Sequence, residues 1–241
     1  MKLPRLAATI CLLGILLASP LSAQDASALL KLDAASLGEG LRLEKAQEAL
    51  RLAQQSIDKG EKQGQSLDLL LKAKELDPEL AQVEFELGRL YDDWRVSLRQ
   101  RAREHYQAFV ELRPKDSRGL THLANLLSNA GLMEEAEKNY RLATAADPNG
   151  SWSWSQYAGF LVDNSDRYQE AVQLASRGLD NTRSQDLDND AWPWRHRGVA
   201  YARLGQKEKA KSDLDRARAI FQRYNDSWQV GQIDQVLAGL K

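Results

Sequence analysis

Few residues in this chain have types and spacing that could do chemistry, and the most distinctive are aromatic. Residues 151–158 read SWSWSQYA and residues 191–198 read AWPWRHRG, so each stretch holds two tryptophans one residue apart. At 3.6 residues per turn, helix side chains two apart point roughly 200° away from each other. The two rings of each pair therefore do different jobs. The three histidines, His105, His122 and His196, have no second histidine or cysteine at ligand spacing, which argues against zinc. Asp186, Asp188 and Asp190 alternate as at the start of a calcium loop. However, Ala191 stands where the sharp turn needs glycine, and Arg197 where a bidentate glutamate is needed. The better reading is a polar loop in which Asn189 or Asp190 caps the next helix. No nucleophile elbow, phosphate-binding glycine loop, H-E-x-x-H or paired-cysteine motif occurs. The sequence thus predicts a protein without cofactor or metal that is not an enzyme.

The elements that position these residues begin after a leader. MKLPRLAATICLLGILLASPLSA carries Lys2 and Arg5, an apolar stretch short for a bilayer span, and a small residue at Ala23. That layout predicts a cleaved secretory signal over 1–23, a mature start at Gln24 and an exported, periplasmic protein without a membrane span after cleavage. The only cysteine, Cys11, lies inside the signal, so disulfides and thiol chemistry are not expected. Without Lys2 and Arg5 the chain has 31 basic and 34 acidic residues, too balanced to favour nucleic acid or anionic lipid.

From Leu41 onward, Ala, Leu, Glu, Gln, Lys and Arg at three-and-four spacing predict helices throughout. The pattern has an internal period. Pro78, Pro114 and Pro148 each follow a small residue, Ser66, Ala102 or Ala136, by twelve positions. Four positions after each small residue stands a large one: Leu70, Tyr106 and Tyr140. Sixteen positions before Ala136, Leu120 opens Leu120-x2-Leu123-Ala124-x2-Leu127, and the same frame before Ala210 gives Trp194-x2-Arg197-Gly198-x2-Tyr201. Gly131 and Gly205 fit the turns between paired helices.

This frame resembles the tetratricopeptide repeat, W-x2-L-G-x2-Y, then A-x3-F, then P. The resemblance implies an all-α, right-handed superhelical solenoid over 41–241. Five helix-turn-helix units lie near 47–80, 81–116, 117–150, 151–190 and 191–224, with a capping helix at 225–241 and a flexible or weakly helical lead at 24–40. Unit one departs with Ser66 in place of alanine, and unit four has extra residues before Ala171 and in its closing loop.

In this register Trp154, Trp194 and Trp228 fall at the fourth position, which in the family packs in the core. Trp152 and Trp192 fall at the second, which the resemblance places on the concave groove with positions five, nine and twelve. The partner-binding groove so implied includes Phe85, Arg89, Arg118, Thr121, Asn125, Trp152, Ser155, Trp192 and Arg195. The lysine and asparagine that recognise acidic chaperone tails are not matched, because Thr121 accompanies Asn125. The implied function is a non-enzymatic scaffold binding a protein or peptide segment of a bacterial envelope complex, such as one assembling a pilus, secretion, outer-membrane or polysaccharide-export machine. A carbohydrate or peptidoglycan module using the groove tryptophans is the alternative.

Overall fold

A computed structural model describes residues 23–58, 63–94, 99–182 and 190–240. Residues 1–22 of the expected 1–23 signal, with Cys11, lie outside the described residues, as do Asp186 and Asp188. Among the described residues all regular elements are helical, with twelve α-helices and one 3₁₀ turn at Ala34–Ser36. The chain divides into two compact units, Met1–Asp77 and Pro78–Lys241.

The first unit holds α1 (Ala23–Leu30), α2 (Glu39–Asp58) and α3 (Gln63–Leu76). Part of the lead is thus helical, and Ala26 and Leu29 of α1 are buried. Helix α2 begins eight residues before Gln47, where the repeat frame starts. Ser66, at the place usually held by alanine, donates to or accepts from the buried Ser56 hydroxyl at 2.9 Å. A second small hydroxyl thus satisfies a polar atom that would otherwise be costly to bury.

The second unit is built from α4 (Ala81–Trp94), α5 (Arg99–Leu112), α6 (Ser117–Asn129), α7 (Met133–Ala146), α8 (Ser151–Asn164), α9 (Tyr168–Asn181), α10 (Trp192–Arg203), α11 (Lys207–Arg223) and α12 (Ser227–Ala238). Each even-numbered helix pairs with the next odd one, and α12 packs on α11 without a partner of its own. Pro114 and Pro148 follow the ends of α5 and α7, where a residue lacking an N–H cannot continue the helix. Gly131 and Gly205 take φ of +79° and +70° in the turns α6–α7 and α10–α11. A side chain there would be strained.

The period-defining small residues are where helices meet most closely. Ala102, Ala136, Ala171 and Ala210 are all fully buried. At Gly198 an added Cβ would lie 2.8 Å from Leu214 Cγ and 3.1 Å from its backbone nitrogen, so α10 and α11 touch almost backbone to backbone. Large side chains fill the space around these contacts, with Tyr106, Phe109, Leu120 and Leu214 among the most buried. Each contributes about 1.5–3 kcal/mol by leaving water.

Candidate functional site

The first helices of successive pairs, α6, α8, α10 and α12, lie side by side and form one wall. It carries a cleft of about 430 Å³. Its polar lining includes Asn125, Ser128 and Asn129 on α6, Gln156, Asp163 and Asn164 on α8, Arg195 on α10 and Gln229 on α12, with Asp92 of α4 and Arg99 of α5. Trp192 and Trp228 line it as well.

Of the expected groove residues at positions two and nine of the repeat frame, Trp192 and Asn125 line this cleft, whereas Arg89, Arg118 and Trp152 lie outside its lining. Trp192 is 36% exposed, held edge-on against Phe221 at 5.3 Å and beside His196 at 5.7 Å. Its backbone N–H donates to Asp190 Oδ1 at 3.1 Å, while the N-cap residue of α10 is Ala191 rather than the expected Asn189 or Asp190. Trp152 is half-buried, its ring 4.8 Å from His122. Asn125 accepts a short hydrogen bond from the Tyr140 hydroxyl, which fixes its amide at the cleft wall. Arg89 is half-buried and pairs with Glu86 at 3.1 Å. Arg118 pairs with Asp116 at 2.8 Å and lies over the Phe85 ring at 5.1 Å.

Position five behaves differently from the groove position assigned to it. Phe85 is buried against Tyr106, Phe109 and His122. Thr121 is fully buried; its hydroxyl donates to Ser117 O at 2.7 Å and accepts from Ser153 Oγ at 2.9 Å. Ser155 is fully buried too, and its carbonyl accepts from His196 Nδ1 at 2.9 Å. These three residues offer a partner no open surface. Adjacent first helices approach so closely that position five becomes the seam between them, and a small hydroxyl or a flat ring fits there. Only Arg195, with its long side chain, extends from position five into the cleft.

The tryptophan register also needs correction. Trp228, assigned to the core, is 66% exposed and lines the cleft. The cause is the 17-residue length of α11, against 14 for α5, α7 and α9. A turn through Asn225 at φ +58° then starts α12 at Ser227, two residues later than the frame placed its unit. Trp228 therefore holds the second position, as Trp152 and Trp192 do, and Val230 holds the fourth. Trp154 and Trp194 are only half-buried. Trp154 donates to Pro148 O at 3.0 Å under Arg177, and Trp194 is held by Arg197 at 5.0 Å and Arg216 at 4.3 Å. They bridge the outer helices under cationic lids and are not deep core.

Position thirteen, one helical turn beyond nine, contributes Asn129 and Asp163, and the frame of two, five, nine and twelve missed both. An i to i+4 step along the same face was the signal that could have found them.

Burial controls the electrostatics. His196 is held down to about 3 by burial, with Arg195 adding to the effect. His122 is lowered to about 4 by burial, then by the charges of Arg89 and Arg118. Both rings are neutral near pH 7 and act as packing groups. The concave wall raises the Asp163 carboxyl, opposed by Arg195 and Arg203. The side chain is nevertheless exposed to solvent, so it stays within reach of a ligand. Among the described residues no group of three His, Cys, Asp or Glu side chains converges on a metal position. Such a cleft can hydrogen-bond and stack, with donors and acceptors in near balance.

Short antiparallel helix pairs, small residues at their closest approach and a wall made of first helices define a helical repeat protein. Residues 117–149, which contain α6 and α7, match the tetratricopeptide-repeat family, and the fold is that of such a repeat solenoid. No curated protein matches the chain by sequence. Among solved structures it is similar to MamA from Desulfovibrio magneticus RS-1, at 13% identity and a TM-score of 0.55, over 75% of this chain and 96% of that one. It is also similar to PilF of Pseudomonas aeruginosa, at 16% identity and a TM-score of 0.61, over 83% and 93%. A third is YrrB, described as a repeat protein with an unusual peptide-binding site, at 17% identity and a TM-score of 0.55, over 83% and 98%. At these identities the likeness is one of fold.

Proposed function

We propose that this protein is an exported, non-enzymatic scaffold of a bacterial cell envelope. It would hold a protein or peptide segment of an assembly complex along the wall formed by α6, α8, α10 and α12. The observation that carries this reading is the cleft itself: exposed indoles at Trp192 and Trp228, and side-chain amides on α6, α8 and α12. Rigid aromatics beside adaptable polar groups are the composition of a binding hot spot. A repeat array presents such a surface without needing a reaction centre. Export rests on the leader over 1–23; among the described residues no helix is long and apolar enough to cross a membrane.

Residues of the expected groove that keep solvent access, the exposed Arg118 and Trp192 and the half-buried Arg89, Trp152 and Arg195, are the contacts assigned to the partner. The test is capture from envelope fractions of the source cell with wild-type protein and with an Arg118→Glu, Trp152→Ala double variant. A partner retained by the wild type and lost by the folded variant supports the reading. Equal retention removes these residues from it. Recovery of the protein in the cytosol with residues 1–23 intact would overturn export.

A further inference from the structure

Trp192 and Trp228 are both exposed, line one cleft and hold the same place, position two, on the neighbouring first helices α10 and α12. Axes of packed neighbouring helices stand about 8–10 Å apart, so one such step separates the two positions along the wall. A segment that offers the same kind of group to both indoles must repeat at about that distance. A β-strand repeats a face every two residues, about 6.6 Å, which falls short. An α-helix needs two turns, and two turns of a helix about 10–12 Å across fill roughly 850 Å³ or more. That is twice the cleft of about 430 Å³. Polyproline II repeats every three residues, about 9.3 Å, and is slender, so it fits both the step and the space.

Chemistry and charge favour the same occupant. Flat indole faces stack on pyrrolidine rings, and aromatic-lined grooves suit polyproline II. Such a segment makes no internal hydrogen bonds, and its prolines lack an N–H, so it offers mainly carbonyls. Further along the same cleft, Tyr140 occupies the Asn125 side-chain oxygen and leaves the Asn125 NH₂ to donate. Gln156 and the exposed Asn129 add further amide donors. The lining sets two acids, Asp92 and Asp163, against two bases, Arg99 and Arg195, and so selects neither an acidic nor a basic segment. We infer that the α10–α12 end of the cleft is a subsite for an uncharged proline-rich segment, with prolines three residues apart seated on Trp192 and Trp228. This inference rests on the groove reading and names the chemistry of its ligand.

The experiment titrates the full chain into fluorescently labelled synthetic probes and follows anisotropy. One probe is Pro-Ala-Gln repeated four times; a second is a scramble of the same composition in which no two prolines stand three apart; a third is labelled chitohexaose. The period-three peptide is expected to bind at least tenfold more tightly than its scramble, and to lose at least tenfold in Trp228→Ala. Trp228 is 66% exposed, so an unchanged melting temperature should accompany that loss. Trp192→Ala should weaken binding similarly, but its ring packs on Phe221, so it is scored against its own melting curve. Trp228→Ala decides if that variant fails to fold. Equal binding of the scramble overturns the spacing, and binding unchanged in Trp228→Ala overturns the subsite. Failure of the period-three peptide to bind overturns the inference as well. In each of these three cases the groove reading stands if capture of an envelope partner still depends on Arg118 and Trp152. Binding of chitohexaose with neither peptide bound overturns both in favour of a glycan.

Discussion

The indole of Trp152 lies 4.8 Å from the imidazole of His122, which in turn stacks on Tyr106 at 4.8 Å with the rings 4° from parallel. A residue on the concave wall is thus the outer end of an aromatic column that reaches the core between α5 and α6. The wall and the core share one packing unit here, so the Trp152 ring stands on a rigid support.

Trp152→Ala should therefore cost stability, which an isolated surface ring would not. A loss of about 1–2 kcal/mol is expected from uncovering His122, below the 3–5 kcal/mol of a fully buried aromatic. Trp228→Ala should leave the urea midpoint within about 0.5 kcal/mol of wild type, as for an exposed position. Equal losses in the two variants would mean that the two indoles are not differently supported.

His122 of this column and His196, buried beside Ser155, make stability depend on pH. His122, lowered to about 4, and His196, lowered to about 3, bind fewer protons folded than unfolded wherever the pH lies below the ordinary histidine value of 6.5. Stability is then full above that value and falls as pH drops through the window down to the folded values. Between pH 7 and 5 the two together should cost on the order of 4 kcal/mol, about half from each. Urea melts at both pH values test this, and His122→Phe should roughly halve the difference. A pH-independent midpoint would contradict the burial of both rings.

Ala136 and Lys138, two residues apart on α7, separate the inside of the pair from its outside. Ala136 is fully buried and Lys138 exposed. Overpacking typically costs about 1–3 kcal/mol, so Ala136→Trp should lower the melting temperature while Lys138→Trp leaves it nearly unchanged. Matching melting temperatures would show that α7 presents a different face.

Arg197 and Asp213 join α10 to α11 by two hydrogen bonds, of 2.7 and 3.0 Å. The Asp213 side chain is only 7% exposed. Arg197→Ala, which strands that carboxylate, should destabilise by about 3–5 kcal/mol, and Arg197→Met with Asp213→Leu should recover most of it. Thermal melts of the single and double variants distinguish this from simple loss of packing, which the double variant would not repair.

How much of this was legible beforehand follows from what each signal reports. Small residues such as Ala136 and prolines such as Pro148 mark backbone approach and helix ends, which are local, so the helix pairs could be read from spacing. Thr121 and Ser155 misled because a small hydroxyl looks the same on a wet face as in a tight seam. Only the distance between neighbouring first helices separates the two cases. Trp228 misled because three extra residues of α11 fit inside a continuous helix and leave no break in the pattern. Asp163 and Asn129 were readable one turn beyond the groove positions but carry no motif of their own.

The central claim is that the wall made by α6, α8, α10 and α12 is where the partner sits. Site-specific photocrosslinking in the source cell tests it most directly, with p-benzoylphenylalanine placed singly at Trp152, at Trp192 and at Leu142. Leu142 is 47% exposed on α7, a second helix of its pair, and serves as the outer control. The account predicts a discrete higher-mass adduct from positions 152 and 192 and none from 142. An adduct from 142 with none from 152 or 192 would place the partner on the other face and contradict it.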